Sequence, residues 1–323
     1  MKTALLRPVL ICCVVGGAVL YAESASGSAS TSTVLKAVQA SVSIDTVPSN
    51  LSPSITYASN NLTSPKVTGA NYIKPSCNPY TKHNEATKPI PCFYGDKSAR
   101  KTVVLYGDSA SGDWAPALSN IFAGLHLRLA LFGFFGCTTA PVTETSTSQP
   151  GFPGEWQLCN KWHRSLPAAV RRLKPVAIIS ASSPWPVVAS EAADWASAMS
   201  WDYKEMTIGN SRALRIVMGA TPLYPNLIPQ CLATSPSAVQ TCSLDYSSAS
   251  SWYRQRLQRD KDVAAATTSV LIPAYQWFCY NDICSPIIGK YMACVDRDHS
   301  STAYVEYIEG ALRSSLLSKL KFP

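Results

Sequence analysis

Between residues 102 and 320, short apolar runs rich in β-branched residues alternate with longer stretches of helical periodicity. The predicted strands cover 102–106, 127–135, 175–181, 214–219 and 270–273. The predicted helices cover 110–125, 162–173, 190–212, 250–266 and 302–320. Strands that alternate with helices indicate a parallel sheet with helices on both faces. The content of 46% hydrophobic and 15% charged residues agrees with a folded globular protein rather than a disordered chain.

The first 26 residues have the pattern of a targeting segment. Lys2 and Arg7 give a positively charged start, an apolar run follows over 8–21, and small residues come next. The run is shorter than the roughly 20 residues that span a bilayer. A cleaved signal peptide and a retained membrane anchor therefore both stay open. Either one predicts an exported protein that is extracellular, periplasmic or associated with the cell envelope.

Residues 27–76 are rich in Ser, Thr, Asn and Pro and show no lasting periodicity. This composition predicts a linker that becomes a wrapping segment near the domain, with a short helix possible over 34–47. The composition changes at Cys77. Residues 77–323 are predicted to form one globular domain.

The chain has eleven cysteines, of which Cys12 and Cys13 lie in the leader. In an exported protein the other nine predict disulfides rather than reduced thiols. Spacing alone does not determine connectivity, and we take the pairing of neighbours as the hypothesis, with Cys294 left over as a buried, inert thiol. The hypothetical pairs are Cys77–Cys92, Cys137–Cys159, Cys231–Cys242 and Cys279–Cys284. The sequence has no paired CxxC knuckles, so no structural zinc is predicted, and no cluster predicts another metal or an organic cofactor.

The net charge of +8 comes from dispersed lysines and arginines, with tight clusters only at 171–174 and 319–321. Nucleic-acid-binding proteins concentrate basic residues in a stripe beside aromatic residues. We therefore predict no nucleic-acid partner and interpret the charge as a solvated surface, which would also favour an anionic envelope polymer. The chain is predicted to be a monomer.

A serine hydroxyl needs a nearby base, and the base needs a group that orients it. The chain has four histidines. We interpret His83 as a loop residue, His126 as a capping or surface residue and His163 as a structural or surface residue. His299 differs because Asp296 precedes it by three residues. That spacing lets the carboxylate accept from one imidazole nitrogen while the other faces outward.

Ser109 follows Gly107 and Asp108 at the carboxyl end of the first predicted strand and opens the next helix. Ligands of open α/β sheets bind at that edge. Backbone N–H groups at a helix N-terminus favour an oxyanion. A plain N-cap is the alternative interpretation of Ser109, and the presence of His299 favours the nucleophile.

The segment 104–109 resembles the first sequence block of the SGNH (GDSL-type) hydrolase superfamily, and 296–300 resembles its last block. The resemblance is closest to the SGNH domains of acyltransferase-three proteins, which O-acylate envelope sugars. It extends over about 77–320 and includes the cysteine-bearing segments at 92–96, 136–137, 159–162 and 278–284. It implies a disulfide-stabilised three-layer α/β/α sandwich with a mainly parallel sheet, similar to SGNH hydrolases and flavodoxin, and an SGNH-like catalytic domain over 77–323.

The resemblance implies catalytic roles for Ser109 as nucleophile, His299 as base and Asp296 as its orienter. The second-block glycine, an oxyanion donor, is matched to Gly136 in preference to Gly133. The third-block asparagine, another oxyanion donor, has no match. Two serines, Ser182 and Ser183, follow the corresponding strand and are candidate substitutes.

These features predict an exported serine esterase or O-acyltransferase that acts on O-acyl groups, in particular acetyl, of envelope carbohydrate. The substrate would be an O-acylated carbohydrate or another small ester, and transfer would need a separate membrane acyltransferase or another acyl donor. The alternative is a catalytically silent carbohydrate-binding module on the same scaffold. Its candidate sugar-stacking residues, otherwise interpreted as core, are Trp114, Trp156, Trp162, Trp185 and Trp277.

Overall fold

The computed structural model describes residues 28–78, 87–142, 155–183, 189–247, 251–319 and residue 321. The α-helices of these residues are α1 Thr31–Ser41, α2 Ile55–Asn60, α3 Ser109–Gly124, α4 Glu155–Arg172, α5 Ala189–Met206, α6 Ile228–Thr234, α7 Ser251–Ala266, α8 Thr302–Tyr307 and α9 Glu309–Lys319. The strands are β1 Cys92–Gly95, β2 Thr102–Gly107, β3 Arg128–Gly133, β4 Ala177–Ala181, β5 Leu214–Met218, β6 Leu244–Asp245, β7 Val270–Ile272, β8 Cys279–Tyr280, β9 Ile283–Cys284, β10 Ile287–Ile288 and β11 Tyr291–Met292.

The central sheet has six described strands in the order β1-β3-β2-β4-β5-β7. β1 runs antiparallel to β3, and the other neighbours are parallel. The chain goes from β2 to β3 on one side and then to β4 on the other side. The carboxyl end of β2 is therefore the point where the strand order reverses, and open α/β sheets bind ligands at such a point.

Side chains along β2 alternate between two separate cores. Val103 and Leu105 belong to a cluster with residues of α1, α3, α8 and α9. Val104 and Tyr106 belong to a second cluster with residues of α4, α5 and α7. All four side chains are fully buried, because a strand with period two presents alternate residues to opposite faces. The predicted three-layer α/β/α sandwich with a mainly parallel sheet is confirmed.

The predicted closing helix over 302–320 is wrong in one respect, because it is divided into α8 and α9. The amide of Ala29 donates to the carbonyl of Tyr307 at 2.8 Å. A Cβ added to Gly310 would lie 2.5 Å from the carbonyl oxygen of Ala29. The N-terminal segment thus packs closely against the helix break, a contact that local periodicity does not reveal.

The described part of the N-terminal segment, 28–78, packs onto the domain. Val34 of α1, Val67 and Ile73 are buried in the first core. Further along, the amide of Val47 donates to the carbonyl of Pro236 at 2.8 Å. The predicted leader, 1–26, lies outside the described residues. Among the residues that are described, no helix is both long and apolar enough to cross a bilayer.

Four disulfides join cysteines that are neighbours along the sequence, as the pairing hypothesis has it. The bonds are Cys77–Cys92, Cys137–Cys159, Cys231–Cys242 and Cys279–Cys284. Cys294 is a free, buried thiol. Burial and the neighbouring carboxylates, Asp296 foremost, raise its pKa well above the ordinary value, so the thiol form is strongly favoured.

Candidate active site

Ser109 is the first residue of α3, directly after the sharp turn that ends β2. Gly107 allows this turn, because a Cβ there would lie 1.8 Å from the carbonyl oxygen of Ala181 in β4, and its φ is +149°. Asp108 is the N-cap, and its carboxylate accepts from the amide of Ala110 at 2.9 Å. The Gly-Asp-Ser sequence therefore presents the Ser109 hydroxyl at the carboxyl edge of the sheet.

The structure brings Ser109, His299 and Asp296 together in one hydrogen-bonded row. His299 Nε2 lies 2.7 Å from Ser109 Oγ, and His299 Nδ1 lies 2.6 Å from Asp296 Oδ2. The other oxygen of Asp296 accepts from the amides of Asp298 at 3.0 Å and His299 at 2.8 Å. These hydrogen bonds from backbone amides fix the loop between Asp296 and His299, so that the imidazole points toward Ser109. This is the geometry of a nucleophile, a base and an orienting carboxylate.

Electrostatics at His299 favour the imidazolium form. Burial lowers the pKa of His299, but the hydrogen bond to Asp296 and the charges of Asp113, Asp296 and Asp298 together raise it well above the ordinary value. Burial raises the pKa of Asp296, but its hydrogen bonds with His299 and two amides bring it below the ordinary value. Asp296 therefore stays ionised, and His299 becomes a free base only above the usual pH range of histidine.

Asp113, one turn after Ser109 in α3, is a fully buried carboxylate that the sequence analysis missed. Its Oδ1 accepts from Thr68 Oγ1 at 3.0 Å and from the amide of Ala70 at 3.1 Å. Its Oδ2 accepts from the amide of Ser300 at 3.0 Å. Burial raises the pKa of Asp113 to about 8, although the charge of His299 acts against this. The sequence signal that could have identified Asp113 is an acidic residue within the apolar, core-facing part of a predicted helix.

Asp113 thus connects three parts of the chain: the N-terminal segment, the helix that begins at the serine, and the loop that carries the histidine. The N-terminal segment belongs to the support of the site even though it contributes no residue to the hydrogen-bonded row.

The two serines at the carboxyl end of β4 make specific contacts with carboxylates. Ser182 Oγ donates to Asp108 Oδ2 at 2.9 Å, and Ser183 Oγ donates to Asp298 Oδ2 at 3.0 Å. The interpretation of these hydroxyls as substitute oxyanion donors is therefore not supported, because each proton is directed at a carboxylate. Their network, which includes Asp108 and Asp298, is a feature that sequence reasoning missed.

The two candidate oxyanion glycines differ in their surroundings. Gly133 ends β3, and a Cβ there would lie 2.2 Å from the side chain of Ile73. Gly136 is exposed, has a φ of +73° and lies in the turn after β3, at the same edge of the sheet as Ser109. Gly136 stays the predicted oxyanion donor beside the amide of Ser109.

Two other histidines, His126 and His163, have different partners and lie apart from this row. His126 is exposed and its Nδ1 is 3.4 Å from Asp96. His163 is buried with Nε2 3.5 Å from Cys137 Sγ, and burial lowers its pKa to about 3. His83 lies outside the described residues.

Three of the candidate sugar-stacking residues, Trp114, Trp162 and Trp277, are at most 2% exposed. They belong to the core, as the other interpretation has it, and offer no face to a sugar. The side chains of Trp156 and Trp185 lie outside the described residues.

Two groups of described side chains bring three potential metal ligands together, but each is already used within the protein. The ligands of the first group are Cys137, Cys159 and His163, and those of the second are Asp296, Asp298 and His299. In the first group both sulfurs form a disulfide. In the second, the imidazole is hydrogen-bonded on both sides, to Asp296 and to Ser109.

A family model described as "SGNH domain (fused to AT3 domains)" matches residues 76–314. The periplasmic domain of a lipopolysaccharide acetyltransferase from Salmonella ser. Paratyphi A is similar in structure, with a TM-score of 0.53 and 14% identity over 69% of this chain and 85% of that chain. At this identity the likeness shows a shared fold.

A GDSL-like lipase from Bacteroides thetaiotaomicron gives a TM-score of 0.39 and 14% identity over 78% of this chain and 100% of that chain. No curated protein sequence matches the chain.

Proposed function

The chain belongs to the SGNH domain family whose members occur fused to AT3 domains, and we propose that it is an exported serine esterase or O-acyltransferase. The proposed substrates are acyl groups, in particular acetyl, of envelope carbohydrate. The family match supports the general class of enzyme, an acyl hydrolase or acyltransferase. The observation that carries the proposal is the row from Ser109 through His299 to Asp296, with contacts of 2.7 and 2.6 Å.

In the proposed first half-reaction, Ser109 Oγ attacks the ester carbonyl carbon while its proton passes to His299 Nε2. The carbonyl π electrons move to oxygen and form a tetrahedral oxyanion. When the carbonyl re-forms, the bond to the sugar oxygen breaks, and that oxygen takes the proton from His299. An acyl-serine remains, and Asp296 stabilises the transient imidazolium through Nδ1–H.

In the second half-reaction His299 Nε2 removes a proton from the acceptor hydroxyl, whose oxygen attacks the carbonyl carbon of the acyl-serine. When the carbonyl re-forms, the bond to Ser109 Oγ breaks, and Oγ takes the proton back from His299. Water as acceptor gives an esterase, and a sugar hydroxyl gives a transferase. The amide of Ser109, at the N-terminus of α3, and that of Gly136 are the proposed oxyanion donors. For transfer, a separate membrane acyltransferase is the proposed source of the acyl group.

Export is proposed from the leader pattern together with the disulfides. Four disulfides join cysteines of the described residues, and structural disulfides persist in oxidising compartments outside the cytosol. The proposed locations are the periplasm, the cell envelope or the extracellular space.

The proposal is tested by replacing the nucleophile. Ser109→Ala should reduce hydrolysis of 4-nitrophenyl acetate to background, since loss of a triad serine costs about 10⁶-fold in a serine protease. A fluorophosphonate probe should label the wild-type protein and not the variant. Ser318→Ala, which changes an exposed serine of α9, is the matched control and should keep both turnover and labelling.

Thermal unfolding of Ser109→Ala should match that of the wild type, because the change removes one partly exposed hydroxyl. Turnover or labelling retained by a folded Ser109→Ala protein would contradict the proposal. Wild-type protein that is folded but neither labelled nor active would favour the silent binding module.

A further inference from the structure

Two carboxylates face the same nitrogen of His299. Asp296 Oδ2 lies 2.6 Å from Nδ1, and Asp298 Oδ1 lies 3.8 Å from it. Nδ1 carries one proton and donates one short hydrogen bond. The two acids therefore compete for one donor. A further contact is needed to determine which carboxylate accepts the hydrogen bond from Nδ1.

The second carboxylate is held from the opposite side by Ser183. Ser183 Oγ donates to Asp298 Oδ2 at 3.0 Å, and both residues are buried. The backbone of Ser183 is itself fixed at both ends. Its amide donates to the two oxygens of Asp108 at 2.9 and 2.8 Å. Its carbonyl accepts from Arg256 Nη1 at 2.8 Å, and Arg256 pairs with Asp260 at 3.2 Å.

Ser183 thus has one contact with the residue before the nucleophile and one with the residue before the base. It is anchored by a buried ion pair on α7, and buried hydrogen-bond networks of this kind hold their members in one arrangement. A buried serine hydroxyl needs a hydrogen-bond partner, and here the partner is the carboxylate that lies beside the imidazole of His299.

We propose that Ser183 is a positioning residue, whose hydroxyl holds the Asp298 carboxylate away from the imidazole so that Asp296 alone keeps the hydrogen bond with Nδ1. This inference rests on the proposed function only in taking His299 as the base. Among the described residues, the hydrogen bonds of Ser183 go to Asp108, Asp298 and Arg256 rather than to Ser109 or His299, so its proposed effect passes through Asp298.

The charged groups around His299 define what a test can detect. Asp296 and Asp298 face it from its own loop, and Asp113 faces it from α3. The buried thiol of Cys294 lies near the same three acids. Arg256, on α7, donates to the carbonyl of Ser183 at 2.8 Å.

Two substitutions should move the titration of His299 in opposite directions. Ser183→Ala removes a hydrogen bond that stabilises Asp298 where it is, so the carboxylate can approach Nδ1, and the imidazole midpoint should rise by about 0.5 pH unit. Asp298→Asn removes the charge itself, and the midpoint should fall by about 1 pH unit. The double variant should titrate like Asp298→Asn, because without the carboxylate Ser183 has nothing to position.

The measurement is the pH titration of the His299 imidazole by ¹H–¹⁵N NMR, with the acid limb of kcat/KM for 4-nitrophenyl acetate as a second readout. Ser182→Ala is the matched control, since its hydroxyl donates to Asp108, and it should leave the His299 midpoint in place. Ser183→Thr keeps a hydroxyl and should restore the wild-type midpoint. Ser183→Cys keeps the volume with only a weak donor and supplies the same comparison should the alanine variant not fold.

An unchanged midpoint in Ser183→Ala or Ser183→Cys would overturn the proposal, as would an equal shift in Ser182→Ala or a double variant that differs from Asp298→Asn. The NMR titration needs no turnover. Protein that fails to hydrolyse esters but shows the opposed shifts would contradict the proposed function and leave the positioning role in place.

Discussion

Gly107, Asp108 and Ser109 are consecutive, but each meets a different physical requirement. Gly107 is needed because β2 approaches the backbone of β4 too closely for any Cβ. Asp108 caps α3 and also accepts a hydrogen bond from the amide of Ser183, in the segment that follows β4. Ser109 presents the hydroxyl to His299. The sequence predicts the chemistry of the serine from residue type and neighbours, whereas the second contact of Asp108 depends on a residue 75 positions later.

The raised pKa of His299 predicts that activity and this residue's contribution to stability change in opposite directions with pH. In the proposed mechanism the neutral imidazole is the base, so kcat/KM for an aryl acetate should rise with pH with a midpoint above about 6.5, the ordinary value. A raised folded-state pKa contributes stability that is complete below the unfolded value and is lost as pH rises through the folded value. Burial of Asp113, with its pKa of about 8, adds a loss in the same direction up to that pH.

The check is a pair of curves between pH 6 and 9, one of kcat/KM and one of the free energy of unfolding from urea denaturation. The His299→Gln variant should lose the part of the stability slope that belongs to the imidazole. An acid limb with its midpoint at or below 6.5 would contradict the electrostatic description of the site.

Helix α3 and the 3₁₀ turn Gly69–Tyr72 meet backbone to backbone. A Cβ on Gly112 would lie 2.8 Å from Ala70 Cα, and a Cβ on Gly69 would lie 2.6 Å from the carbonyl oxygen of Gly112. This approach lets the amide of Ala70 reach Asp113. Two facing glycines are thus the structural reason that the N-terminal segment reaches the helix that begins at Ser109.

Gly112→Ala should therefore destabilise the domain by about 1–3 kcal/mol, because the turn has to move away from α3. Gly124→Ala is the control in the same helix, because nothing lies within 4 Å of its added Cβ. The control should be neutral or stabilising by up to about 1 kcal/mol, the helix-propensity gain of alanine over glycine. Urea unfolding compares the two, and equal effects would show that the contact between α3 and the turn is loose.

Elements could be predicted where their own residues determine them. β2 and β4 are buried on both faces and read as continuous apolar runs. The antiparallel edge strand β1 was not predicted as a strand, since its pairing with β3 is set by tertiary structure. The same holds for the break between α8 and α9, which lies where Ala29 packs.

At the scale of the whole molecule, the sequence predicts the layered architecture because that follows from alternation along the chain. It does not predict how far the folded unit extends. The polar composition of 27–76 suggests a linker that ends as a wrapping segment, yet Val34, Leu51 and Val67 are buried in the core that contains one face of β2. Sparse apolar residues give no periodic signal, although each one can still be buried against elements that are distant in the sequence.

This extent can be tested with two neighbouring residues of α1. Val34 is fully buried, whereas Leu35 is 40% exposed. If α1 unfolds together with the sheet, Val34→Ala should lower the free energy of unfolding of the whole domain by about 2 kcal/mol, from lost burial and the cavity left behind. Leu35→Ala should change it by no more than about 0.5 kcal/mol.

Urea unfolding followed by tryptophan fluorescence reports on the domain, because Trp114 and Trp277 lie in the core that Val34 joins. If α1 were instead an independent appendage, Val34→Ala would leave that transition unchanged, and the folded unit would begin after this helix.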